Sequence, residues 1–161
     1  MKKLIFAFAL FIAVQSKAQS IYTDESTLIQ QLFGKTKKEL VRTNLEIDEN
    51  NSTDFWKLFD EYELERESII KNKMVLLYRY ANNYSNLTDE KAESIAKATL
   101  KNNIALEAIS SKYYDRFSKL IGNVNASKFI QLESYIQNKI KSILQNDIPF
   151  ISYIERSKKQ D

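Results

Sequence analysis

Cysteine and histidine do not occur in this 161-residue chain. Their absence removes disulfides, thiol nucleophiles, imidazole bases and most zinc or copper sites. A Ser-His-Asp arrangement is therefore impossible. Glycine and proline are nearly missing as well, with two Gly (Gly34, Gly122) and one Pro (Pro149). So few positions for φ > 0 turns and rigid corners exclude a many-stranded fold and leave long helices. Two isolated glycines cannot build a phosphate-cradling loop either. No carboxylate, thiol or imidazole set for a metal or cofactor emerges, and none is expected.

What the chain does have begins at its N-terminus. Met1-Lys2-Lys3 precedes an apolar run of eleven residues, Leu4 to Val14, and small residues follow in Ser16-Lys17-Ala18. This is the pattern of an export signal cleaved after Ala18. The run is well short of the roughly 20 residues that span a bilayer, so no stable membrane insertion is expected after cleavage. Residues 1–18 are read as the signal and 19–161 as one all-helical periplasmic domain, of a size to bury a single core. Three of the 24 basic residues (Lys2, Lys3, Lys17) lie in the signal, which leaves 21 against 21 acidic ones. Nucleic acid is not an expected partner, because a phosphate backbone calls for clustered excess Lys and Arg.

Three boxes place an apolar residue before a good helix cap: Ile47-Asp48-Glu49-Asn50-Asn51, Leu87-Thr88-Asp89-Glu90-Lys91 and Val124-Asn125-Ala126-Ser127-Lys128. Asp48, Thr88 and Asn125 can each accept from the orphan N–H groups of a first helical turn. The preceding apolar residue can staple onto the helix, as Leu87 on Ala92 or Val124 on Phe129. Four helices follow. The first runs over about 24–45 and is weakened or broken at Gly34. The second covers about 48–84 with a stripe of Phe55, Phe59, Tyr62, Ile69, Leu76 and Tyr80. The third runs from Thr88 to about Ile121, with Gly122 as a left-handed C-cap. The fourth starts at Asn125 and ends before Pro149. The second and third are each about 50 Å long and are joined by Ser85-Asn86, which predicts a long antiparallel hairpin. Two thin rods cannot cover their own stripes, so a homodimer or an open groove is expected.

The acidic stretch Asp60 to Glu67 reads as a solvated helix face, with Arg66 and Lys71 as counterions. Aromatic residues exceed what a simple bundle needs, with nine Tyr and nine Phe. Phe55, Trp56, Tyr62, Tyr80, Tyr84, Tyr113 and Phe117 are the candidate partner-binding set, forming a groove of rings rimmed by charge.

At the boxes, and above all at Leu87-Thr88-Asp89-Glu90 with Lys91 in the Gln position, the chain resembles exported helical proteins of the Spy and CpxP family. That family repeats Leu-Thr-x-x-Gln at helix starts. The chain is also similar to a little-characterised group of exported bacterial proteins, over about 38–151. That likeness rests on Phe55-Trp56, Tyr80 to Thr88, Tyr113-Tyr114, Lys128 to Glu133 and Ile148 to Ile151. The resemblance implies a non-enzymatic periplasmic chaperone for unfolded or envelope proteins. It also leaves open an envelope-stress sensor or regulator that binds a membrane signalling partner linked to extracytoplasmic sigma factors.

Overall fold

The structure, a computed structural model, describes residues 24–146 and 148–157. The expected export signal lies outside them. Among the described residues every regular element is helical. Helix α1 (Glu25–Phe33) begins at Asp24, whose carboxylate accepts from the Thr27 N–H at 2.8 Å. It ends at Gly34, with φ 63° and ψ 16°, so the segment expected over 24–45 breaks in two. Helix α2 (Lys37–Asn44) restarts on a capping box in which the Thr36 and Glu39 side chains each accept from the other's backbone N–H.

Helix α3 (Glu49–Asn83) is capped by Asp48, which accepts from the Asn50 N–H at 2.8 Å. A 3₁₀ turn, Tyr84–Asn86, leads into α4 (Asp89–Gln145), where the Thr88 hydroxyl accepts from the Lys91 N–H at 3.4 Å. Two of the three boxes thus start helices as their chemistry dictates.

The third does not. Helix α4 is broken at Gly122, with φ 76° and ψ 159°. That is extended rather than left-handed helical backbone, a combination that glycine alone tolerates well. The chain reverses there. The Phe117 and Phe129 ring centroids lie 4.5 Å apart, whereas a straight helix would part them by about 18 Å. Asn125 caps nothing. Its amide donates instead to the Glu46 carbonyl at 2.8 Å and the Ile121 carbonyl at 3.4 Å, tying the turn to the α2–α3 link. Val124 is 71% exposed and cannot staple onto the buried Phe129.

A hairpin-like body results, and its stripes are covered. Contacts advance along α3 while they recede along the first limb of α4 (89–121): Phe55 with Phe117, Tyr62 with Tyr113, Asn72 with Asn102. The second limb (123–145) advances together with α3, from Phe59 against Phe129 to Lys73 against Gln137. It buries the stripes that two rods alone would leave open. Helix α5 (Pro149–Ser157) starts on proline at its first position, where the missing N–H costs nothing. Its Phe150 stacks on Tyr84 beside the hairpin turn, with ring centroids 6.1 Å apart. No helix among the described residues is long and apolar enough to cross a membrane.

Two apolar clusters form the core. One gathers Val41, Leu45, Phe55, Phe59, Tyr62, Tyr113, Phe117 and Phe129. The other gathers Leu28, Ile29, Leu40, Ile70, Met74, Leu106, Ile136 and Ile140.

The reversal predicts a specific sensitivity. A Cβ added at Gly122 meets nothing within 4 Å, so its cost is backbone strain alone. Gly122→Ala should lower stability by about 1–3 kcal/mol. Urea unfolding checks this, and a neutral effect would mean that the turn relaxes.

Candidate functional site

Between the two apolar clusters lies a layer of charge. It is assembled from four helices: Glu25 on α1, Lys37 on α2, Tyr62, Glu63 and Arg66 on α3, and Glu133 and Gln137 on the second limb of α4. Helical spacing accounts for the placement. Arg66 follows Tyr62 by one turn and Glu133 follows Phe129 by one turn, so both fall on buried stripes. Arg66 is 1% exposed, Glu133 6% and Lys37 8%. Charges this far from water persist only when paired and hydrogen-bonded.

They are paired. Arg66 holds Glu25 with both terminal nitrogens, Nη1 to Oε2 at 2.7 Å and Nη2 to Oε1 at 2.9 Å. This two-pronged geometry is the strong form of the interaction. Arg66 also lies 3.3 Å from Glu63 and 3.5 Å from Glu133. Lys37 bridges the other side, 2.7 Å from Glu63 and in contact with Glu133 Oε1. The Tyr62 hydroxyl donates to Glu133 Oε2 at 2.7 Å, and the Gln137 amide donates to Glu25. Both cations sit 5.5 Å from the centre of the Tyr62 ring, adding an attraction to its face. The Arg66 Nε is buried with no hydrogen-bond partner.

Electrostatics separate the carboxylates. Burial alone would raise Glu25, yet the charges of Lys37 and Arg66 outweigh it and hold the carboxyl below its usual range. At Glu63 burial prevails over the same two cations, with Glu133 adding repulsion, and the carboxyl is pushed up. Burial, then the Glu133 charge, raises the Tyr62 phenol, which stays protonated.

Opposite pH trends follow for two isosteric changes. Glu25 stabilises the fold when ionised, and that contribution is lost only as pH falls from the ordinary 4.5 through its lowered folded value. Glu25→Gln should cost about 2–3 kcal/mol at neutral pH and less in acid. Glu63 binds its proton more tightly folded than unfolded, so its contribution is present near 4.5 and fades as pH rises through the raised value. Glu63→Gln should be milder at neutral pH and grow costlier on acidification. Urea titrations from about pH 2 to pH 8 give the crossing trends, and parallel curves would refute the assignment.

The aromatic set divides. Phe55, Tyr62, Tyr113 and Phe117 are between 0% and 2% exposed, so they belong to the core and not to an open groove. The second limb of α4, laid across them, is the physical reason. Trp56 is half-buried beneath Lys38 and Arg42, each 5.1 Å from its ring. Tyr80 and Tyr84 meet edge to face near the hairpin turn, and both reach the surface. The acidic stretch is not simply solvated either. Glu61 and Glu65 clasp Arg116 and Lys112 on α4, at 2.6 and 2.8 Å, while Arg66 faces inward. Sequence reasoning missed Glu25, Lys37, Glu133 and Gln137. The available signal was polar residues at apolar-stripe positions.

Outside, the first limb of α4 carries Ala96, Leu100, Ile104 and Ala108, all exposed and spaced by four. Leu100 is 62% and Ile104 70% exposed. This row lies away from the buried Ile95, Leu106, Ile109 and Tyr113. Among the described residues no group of three or more carboxylates is placed to hold a metal ion. No protein-family model, characterised protein or solved structure matches the chain.

Proposed function

We propose that this chain is a non-enzymatic exported protein of the bacterial envelope that acts as a sensor or regulator by docking a partner protein's helix. The exposed row of Ala96, Leu100, Ile104 and Ala108 carries the reading. A four-residue spacing of aliphatic side chains between small ones suits close approach of a second helix. The long hairpin-like body of α3 and α4 supports the row along its length. The envelope setting and the stress-sensor role rest on the N-terminal segment and on the Spy- and CpxP-like boxes. A holdase for unfolded chains is supported less well, because Phe55, Tyr62, Tyr113 and Phe117 are occupied in the core.

A photo-crosslinker at Lys101 or Ser111, beside the row, should give one discrete adduct in intact envelopes, and Leu100→Lys should abolish it. A diffuse smear of adducts, with undiminished suppression of aggregation of a denatured test protein by the Leu100→Lys variant, would overturn the reading in favour of the holdase. An adduct at twice the chain's own mass would identify a second copy and overturn the separate partner.

A further inference from the structure

On the other side of the charge layer a cleft of about 510 Å³ opens between α3 and the two limbs of α4. Its volume falls in the range of small-molecule sites. Arg66 and Glu133 belong to its lining, and Lys73 and Lys141 stand over it. The charge inventory is uneven. Glu25, Glu63 and Glu133 are engaged by Lys37 and Arg66, while the Lys73 ammonium donates to the side-chain amide oxygen of Gln137 at 3.3 Å. Among the described residues no carboxylate lies within 4.0 Å of Lys73 or Lys141. Burial, then the like charge of Lys141, lowers the Lys73 ammonium, and the charges of Glu25 and Glu107 offset this only in part. The remaining carboxylate of the lining, Glu107, makes no ion pair there.

We infer that this cleft binds a small organic carboxylate bearing hydroxyl groups, its carboxylate held between Lys73 and Lys141. Two separate ammonium groups match the two oxygens of a carboxylate. A phosphate would call for a convergent set of donors, and the arginine fork that could supply one is already closed on Glu25. The rest of the lining is neutral and hydrogen-bonding, with Asn103, Ser134 and Asn138 able to donate and accept, which suits hydroxyls. Leu76, Leu77 and Leu106 form an apolar wall that excludes water from one side. Lys73 and Lys141 take no part in the ion pairs that hold the helices together, so they can be changed without dismantling the charge layer.

Calorimetric titration of the intact chain with galacturonate, galactose and inorganic phosphate tests the inference. Galacturonate should bind, with galactose at least about tenfold weaker, the cost of losing one charge-assisted contact. Lys73→Gln and Lys141→Gln should each weaken galacturonate by about tenfold or more with unchanged circular dichroism, and Glu107→Gln should tighten it. Galacturonate should also slow trinitrobenzenesulfonate labelling of Lys73. Equal affinity for galactose, indifference to Lys73→Gln, or preference for phosphate would each overturn it. So would a failure of both galacturonate and glucuronate to bind the folded chain.

Discussion

Arg66→Met should remove about 3–5 kcal/mol of stability, the cost of stripping a buried ion pair of one partner. The guanidinium is 1% exposed and touches three carboxylates, Glu25, Glu63 and Glu133. Without it Glu25 keeps the Gln137 hydrogen bond and the charge of Lys37, which is then the one cation left to serve Glu25, Glu63 and Glu133. Burial would by itself depress the Arg66 guanidinium, but Glu133 and Glu25 together raise it, so the cation cannot relieve the layer by losing its proton. The carboxylates must instead take up protons or admit water. A second change, Glu25→Gln in the Arg66→Met background, should recover part of the loss, because the orphaned charge is then gone. Guanidinium or urea denaturation of the two single variants and the double variant measures this. A cost below about 1 kcal/mol for Arg66→Met would mean that the layer is hydrated and not a sealed part of the interior.

Phe117→Ala is the second large effect, also about 3–5 kcal/mol. Phe117 is fully buried, and its ring meets those of Phe55, Tyr62, Tyr113 and Phe129 at centroid distances of 4.5 to 6.2 Å. Truncation removes the shared contact of α3 and both limbs of α4, leaving a cavity that three rigid rods cannot easily close. For a domain of this size the melting temperature should fall by about 10–20 °C. Leu100→Ala, on the exposed outer row, should stay within about 0.5 kcal/mol. The pair separates core from docking surface. If Phe117→Ala left the melting temperature unmoved, the aromatic cluster would not be the keystone of the interior, and the uncovered groove expected from the sequence would regain its footing.

How much of this was legible in the sequence depends on what each residue had to do. Asp48 and Thr88 act within three residues of their own position, so local chemistry suffices to read them. The stripe of α3 was legible for the same reason: period 3.6 is a property of one helix. The second limb of α4 failed at its first turn because Asn125 is chemically able either to cap or to donate. The choice is made by the Glu46 carbonyl, 79 residues away in the chain. The charge layer was invisible for a related reason. Arg66 looks like the counterion of its acidic neighbours, and only the packing of α1 brings Glu25 to it. Yet one trace was present. Glu133 stands in the series Ala126, Phe129, Ile136, Ile140, where a solvated carboxylate has no place. A charge on an apolar stripe is a request for a partner, and Lys37, arriving from α2, supplies it. The Thr36-x-x-Glu39 box was equally local and simply unread.

The reversal at Gly122 has a consequence beyond its strain. Were that single residue to adopt ordinary helical angles, α4 would straighten into one rod of 57 residues, about 85 Å from end to end. Its far half would then be carried away from its own body, with Phe129, Glu133 and Ile140 still seeking the berths they left. Identical berths exist on any neighbouring molecule, so two such chains could trade halves and rebuild every native contact between them. One glycine thereby stands between a self-contained molecule and an exchanged pair, with protein concentration weighing on the choice.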